Sequence, residues 1–278
     1  MANGDPIQVI AGFSLTNRWL LYASLMLTPA QALSGVGSQA PTNIGFLAYN
    51  YYQQYLWYTA AKSKQIHALA LLPTYLDLIY AVTYLGGIPA GNVPMGILLG
   101  LGTAGLLLMN TITAWIALKT NLPEGDGVYQ FFFFGWRTLS KGWRRLMTMW
   151  QVFDTLTVVV AVIGSIVLGV IIPLNVDEDD VDDSEFKTLR DTAIFWGSAL
   201  VLVCLGWPLI LWIELIVKRN NIVSETDMIA VYLFVAQVAA MILPGIVGFI
   251  WKKLSGLFHW RERAWTRKEV EPRGSLAK

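Results

Sequence analysis

Few side chains in this sequence have the types and spacing for chemistry, and Asp77 is the most telling of them. It stands in the middle of an apolar stretch over 66–86, with Lys64 and His67 too far along a helix to neutralise it. A carboxylate at the centre of a hydrocarbon layer costs about 3 kcal/mol on insertion scales, so such a group turns towards a partner or water. Tyr80 and Tyr84 fall on the same helical face as Asp77 and offer hydroxyls. Asn110, with Thr111 and Thr113, offers polar groups from the following apolar stretch. Asp77, Tyr80, Tyr84 and Asn110 therefore form a candidate ion or proton pathway. The competing reading is a protonated carboxyl that ties two helices together; burial favours the neutral acid in both cases.

Two further acids invite the same question. Asp154 follows Trp150 near the expected start of an apolar stretch, where the helix dipole favours a carboxylate. Glu214 precedes Lys218 by four residues, the spacing of a helical ion pair. With Asp77 these two would supply the acid-base groups of a membrane-embedded enzyme acting on a lipid or isoprenoid. The densest charge is the run Asp177, Glu178, Asp179, Asp180, Asp182, Asp183 and Glu185. It reads either as a ring that concentrates cations at a pore mouth or as a solvated loop. It is not an EF-hand, because Val181 and Asp182 occupy positions that need Asp or Asn and Gly.

Metal and cofactor sites are not expected. His67 and His259 share no ligand spacing, and Cys204 is the only cysteine. The nucleophile-elbow, phosphate-loop and zinc-protease motifs are missing from the sequence.

The elements that must position these groups follow from composition. Of the 278 residues, 55% are apolar or aromatic and 14% are charged, with a mean hydropathy of +0.51. Soluble domains carry about 25% charged residues. Apolar stretches at 66–86, 94–118, 151–173, 192–217 and 228–251, none with more than one acid and none with Lys or Arg, are long enough to cross a bilayer. The expected fold is an all-α, polytopic transmembrane helix bundle with about five membrane-embedded segments plus interfacial amphipathic helices. Residues 1–64 form an interfacial or signal-anchor region, 65–251 the transmembrane domain and 252–278 a basic tail. Arg18 before the apolar run Trp19–Leu27 and Ala30-Gln31-Ala32 has some signal-peptide character, but an uncleaved helix fits better. Gly96 and Gly100 form a GxxxG pair that admits a close helix neighbour.

A basic interfacial helix is expected over 128–150. Gly135-Trp136-Arg137 recurs as Gly142-Trp143-Arg144, a spacing that puts both trios on one helical face. Trp136, Arg137, Lys141, Trp143, Arg144 and Arg145 are thus candidates for contact with anionic lipid headgroups. The acidic loop spans 175–191. Ser224 and Asp227 have the form of a capping box before the last apolar run.

Orientation depends on that last run. If all five stretches cross, Lys62, Lys64, Lys119, Arg137, Lys141, Arg144, Arg145, Lys218 and Arg219 lie opposite the basic tail, and the charge bias nearly cancels. If the run folds back at Pro244-Gly245, these residues and the tail share one side. The expected activity is cation conduction or transport by a homo-oligomer in a plasma or internal membrane, with the lipid bilayer as partner. A membrane-embedded lipid enzyme and a structural subunit of a membrane complex are the alternatives. Neither the net charge of +1 nor the single basic tail points to nucleic acid.

Overall fold

A computed structural model of the chain describes residues 6–34, 40–65, 93–121, 130–167 and 206–243, with 170, 196, 200 and 204 besides. The molecule is mostly helical. Helices α1 (Leu15–Ser34), α2 (Ala40–Lys62), α3 (Val93–Thr120), α4 (Lys141–Ile166), α5 (Trp207–Arg219) and α6 (Met228–Leu243) pack around one apolar core. Two of them, α3 and α4, contain stretches long and apolar enough to cross a membrane, with mean hydropathies of 1.7 and 1.8. Expected spans 94–118 and 151–173 begin in these helices, and the stretch 66–86 lies outside the described residues. Within the described residues α5 and α6 are shorter apolar helices.

Contacts between helices fix their directions. Asn17 meets Asp227 and Ser24 meets Gln237, so α1 runs parallel to α6. Gly45 lies against Gln237 and Tyr52 bonds Asp227, so α2 runs antiparallel to α6. Leu47 meets Gly102 and the Asn121 amide donates to the Ala61 carbonyl, so α2 and α3 are parallel. The Trp115 indole donates to Thr155 and Arg144 to the Lys119 carbonyl, which makes α3 and α4 antiparallel. One end of the bundle therefore gathers the starts of α1, α4 and α6 and the ends of α2 and α3; α5 ends there too, where Arg219 bonds Gln130.

Four short strands depart from the all-α expectation, and all lie at this end. Strand β1 (Ile7–Val9) pairs in parallel with β4 (Ile222–Ser224), Ile7 opposite Ile222. Strands β2 (Gln130–Phe132) and β3 (Trp136–Thr138) form an antiparallel hairpin. Each is three residues long, too short to leave an alternating pattern in the sequence.

The hairpin also corrects the expected helix over 128–150, which begins only at Lys141. Gly135 adopts a φ of +135° and Phe134 a φ of +47°, both off the helical path. The consecutive aromatics suit strand geometry, and the Phe133 amide closes the turn on the Gly135 carbonyl. The two Gly-Trp-Arg trios thus sit on different elements, β3 and α4, and not on one helical face. Because α4 starts ten residues before the expected span, Asp154 falls mid-helix, and a first-turn dipole does not account for it.

Close approach of α2 to α3 occurs at Gly102 and Gly105. A Cβ at Gly102 would lie 2.9 Å from Leu47, and one at Gly105 would overlap the Tyr51 hydroxyl, which donates to the Gly102 carbonyl at 2.8 Å. Gly105→Leu is expected to force the helices apart and destabilise the fold by about 1–3 kcal/mol, the usual range for overpacking. A lower melting temperature of the detergent-solubilised variant checks this; an unchanged one means α2 and α3 do not meet there.

Candidate functional site

Three groups of polar side chains organise the bundle. The first is an ion pair between α1 and α5. Arg18 forks onto Glu214, Nε to Oε1 at 2.7 Å and Nη2 to Oε2 at 2.9 Å, while Nη1 donates to the Phe13 carbonyl at 2.6 Å. The Tyr22 hydroxyl donates to Glu214 Oε1 at 2.8 Å. Arg18 is 8% exposed, so this fork is a buried, two-pronged pair of the kind only Arg makes. Burial, then the neighbouring Glu214, push the Tyr22 phenol well above its ordinary value of 10.0. Glu214 is thus taken by α1, not by Lys218 as its spacing had implied, and while so held it is no mobile acid-base group.

The second group surrounds Asp227 at the start of α6. Asp227 Oδ1 accepts the Ile229 amide at 2.8 Å, so Asp227 itself caps the helix. Its Oδ2 accepts the Tyr52 hydroxyl at 2.6 Å. Asn17 bonds the Asp227 backbone in both directions, at 3.1 and 2.9 Å. Ser224, which the capping-box pattern had placed at the cap, lies instead in β4, where its hydroxyl donates to the Ile10 carbonyl and accepts the Phe13 amide. Burial and the bond to Asp227 raise the Tyr52 phenol above its ordinary range.

The third group is a set of neutral polar side chains inside the bundle. Asn50, Gln53 and Gln54 on α2, Thr103 and Asn110 on α3, and Gln237 on α6 are all buried. Gln237 Oε1 accepts the Ser24 hydroxyl at 3.1 Å. Among the described residues Gln53 Nε2, Thr103 Oγ1 and Gln237 Nε2 find no hydrogen-bond partner. Of the expected ion-pathway residues, Asn110 belongs to this interior, whereas Asp77, Tyr80 and Tyr84 lie outside the described residues, as does the acidic run Asp177–Glu185.

The outside has the opposite character. Phe153, Leu156, Val159, Val160 and Ile163 of α4 are exposed, while Gln151 and Ser165 face inward. Only 17% of the apolar window of α4 is buried, against 56% for α3. A core helix of a water-soluble protein would show the reverse for α4.

The candidate headgroup residues meet at the strand-bearing end. Trp136 and Arg137 are on β3, and Lys141, Trp143, Arg144 and Arg145 are on the first turns of α4. The Arg219 guanidinium lies 4.9 Å over the Trp136 ring. Lys62, Lys119 and Lys218, in the last turns of α2, α3 and α5, belong to the same end. Among the described residues no group of three or more His, Cys, Asp or Glu is placed to hold a metal. No protein-family model, curated protein or solved structure matches the chain.

Removing one member of the Arg18–Glu214 pair strands the other. Arg18→Met or Glu214→Leu alone is expected to cost about 3 kcal/mol, the low end for a broken buried pair because Glu214 keeps some exposure. The double variant should recover most of that loss in a denaturant titration of the micellar protein; additive losses would show that the two residues act independently. Tyr22 gives a pH signature. The fold favours the neutral phenol, so the stabilisation is complete below pH 10 and is lost as pH climbs above it. Melting temperature should fall more steeply above about pH 10 for the wild type than for Tyr22→Phe; identical slopes would remove Tyr22 from the account.

Proposed function

We propose that this chain is an integral membrane protein whose helical bundle, assembled as a homo-oligomer, carries cations across the bilayer. The observation that carries the reading is the combination of carboxamides and hydroxyls buried in the bundle with a bare apolar face on α4. Hydrocarbon solvates the exposed face of α4 as water does not. Within the neutral interior the Thr103 hydroxyl, without a hydrogen-bond partner among the described residues, supplies an oxygen ligand that replaces part of an ion's hydration shell without trapping it.

In this reading α3 and α4 are full spans, and the stretches 66–86, 192–217 and 228–251 complete about five embedded segments. If the last stretch folds back at Pro244-Gly245, the nine Lys and Arg of the strand-bearing end share the cytoplasmic side with the basic tail, which satisfies the bias of basic residues towards that side. Asp77, with Tyr80 and Tyr84, lies on the path, and the acidic run Asp177–Glu185 draws cations to its mouth. Exposed apolar surface on α4 and α6 also gives subunits a place to meet.

Thr103→Val tests this without disturbing the fold. The Thr103 hydroxyl has no hydrogen-bond partner among the described residues, so replacing it with a methyl should leave stability nearly unchanged. A hydrogen bond to a charged group is worth about 1.5 kcal/mol or more, which as a raised barrier slows crossing about tenfold. Cation flux into liposomes carrying the purified protein should therefore drop about tenfold in Thr103→Val, and also in Asp77→Asn. Absence of flux for the wild type under every ion gradient and voltage would defeat the proposal.

A further inference from the structure

The tip of the β2–β3 hairpin presents two phenylalanines to the outside, and nothing else in the described molecule covers them. Phe134 is 90% exposed, and Phe133 is exposed beside it with ring centroids 5.1 Å apart. Phe134 holds its ring out from a left-handed backbone with φ of +47°, a conformation aromatic residues seldom adopt. The base of the hairpin is rigid. Phe131 is buried with its ring 5.3 Å from that of Trp143, Phe133 packs edge-on to the same indole at 5.2 Å, and the Trp212 indole donates to the Phe132 carbonyl at 2.6 Å. The tip is thus a fixed projection braced against α4 and α5.

Its surroundings identify what it meets. Residues 130–150 contain Arg137, Lys141, Arg144 and Arg145 and not one acid. Arg137, Lys141 and Arg145 are exposed. Trp143, which braces the tip, lies one helical turn before Leu146, where the exposed apolar stripe of α4 begins and continues through Trp150 and Phe153. Aromatic rings above an apolar stripe, flanked by the exposed cations Arg137, Lys141 and Arg145, match the layered chemistry of a bilayer boundary: acyl chains, then glycerol and carbonyls, then phosphate.

We infer that the β2–β3 hairpin is an interfacial anchor, with Phe133 and Phe134 inserted between the headgroups of an anionic phospholipid leaflet and Arg137, Lys141 and Arg145 bound to its phosphates. Binding needs no rearrangement, because the hairpin is already braced. This inference rests on the membrane reading above and adds to it a lateral foothold beside the crossing helices. The shared chemistry is an acyl–phosphate boundary, and the occupant is the membrane's own anionic lipid.

The test uses the full-length chain in liposomes. Cys204 is exposed and is first replaced by serine. Phe134→Cys then carries an environment-sensitive fluorophore, and Leu156→Cys in α4 serves as a second reporter. The vesicles are phosphatidylcholine alone or mixed with phosphatidylserine, with nitroxide lipids labelled near the headgroup or near the chain end. The position-134 label should shift to the blue and be quenched several-fold more by the shallow nitroxide than by the deep one or by aqueous iodide. Lys141→Glu/Arg145→Glu should restore iodide quenching in the phosphatidylserine mixture. Iodide quenching of the position-134 label in the unmodified background overturns the anchor, as does a blue shift without nitroxide quenching, which would place the tip against protein. Deep quenching of the Leu156 label with an iodide-accessible position 134 would leave the membrane reading intact and reject the anchor alone. Iodide access at both positions would reject both.

Discussion

A guanidinium buried between two helices must be answered by an anion, and the packing of this bundle follows from that demand. Arg18 finds its anion on Glu214, from the far side of the sequence. The pairing brings the first helix against the fifth, leaves β1 beside β4, and sets Asn17 where it can receive the Asp227 backbone. Tyr22 and Tyr52 supply the remaining hydrogen bonds to the two carboxylates. Without that pair the N-terminal segment would have to withdraw a charge from the core, and Phe13, Leu21 and Leu25 with it.

The second constraint acts on the surface. In water, leaving Phe153, Leu156, Val159, Val160 and Ile163 uncovered forgoes on the order of 10 kcal/mol of burial. That is comparable to the whole stability of an ordinary domain. In hydrocarbon the same face would carry no such loss. Polar side chains then have only the inside to occupy, which accounts for Gln151 and Ser165 on the inner face of α4.

Much of the helical architecture was legible from residues alone. The apolar stretch leading to Ala117 and the turn-like residues after Thr120 announced α3, and the apolar run after Asp154 announced the second half of α4. What stayed hidden was long-range or very short. Glu214 and Lys218 have ideal helical spacing, and a local pattern cannot reveal that a partner 196 residues away outcompetes it. A signal did exist: Arg18 is the single charged residue between positions 6 and 61, and a lone cation in an apolar segment calls for a lone anion in another. The hairpin was missed because Trp and Arg at a seven-residue interval imitate a helix, whereas Gly135 after a run of phenylalanines marks the turn. Of the candidate pathway, Asn110 is placed by the structure in the interior, and its proposed neighbours on the 66–86 stretch are known only by sequence.

The pairing of Arg18 with Glu214 also imposes a schedule on biosynthesis. Residues leave the ribosome at roughly 5–20 per second, so a separation of 196 positions keeps Arg18 waiting for about 10–40 seconds. Throughout that interval the nascent chain carries a solitary cation on an apolar helix, and β1 has no strand to pair with. The N-terminal segment can therefore lock into place only once translation has delivered α5 and β4. Maturation of this protein ends where its sequence starts.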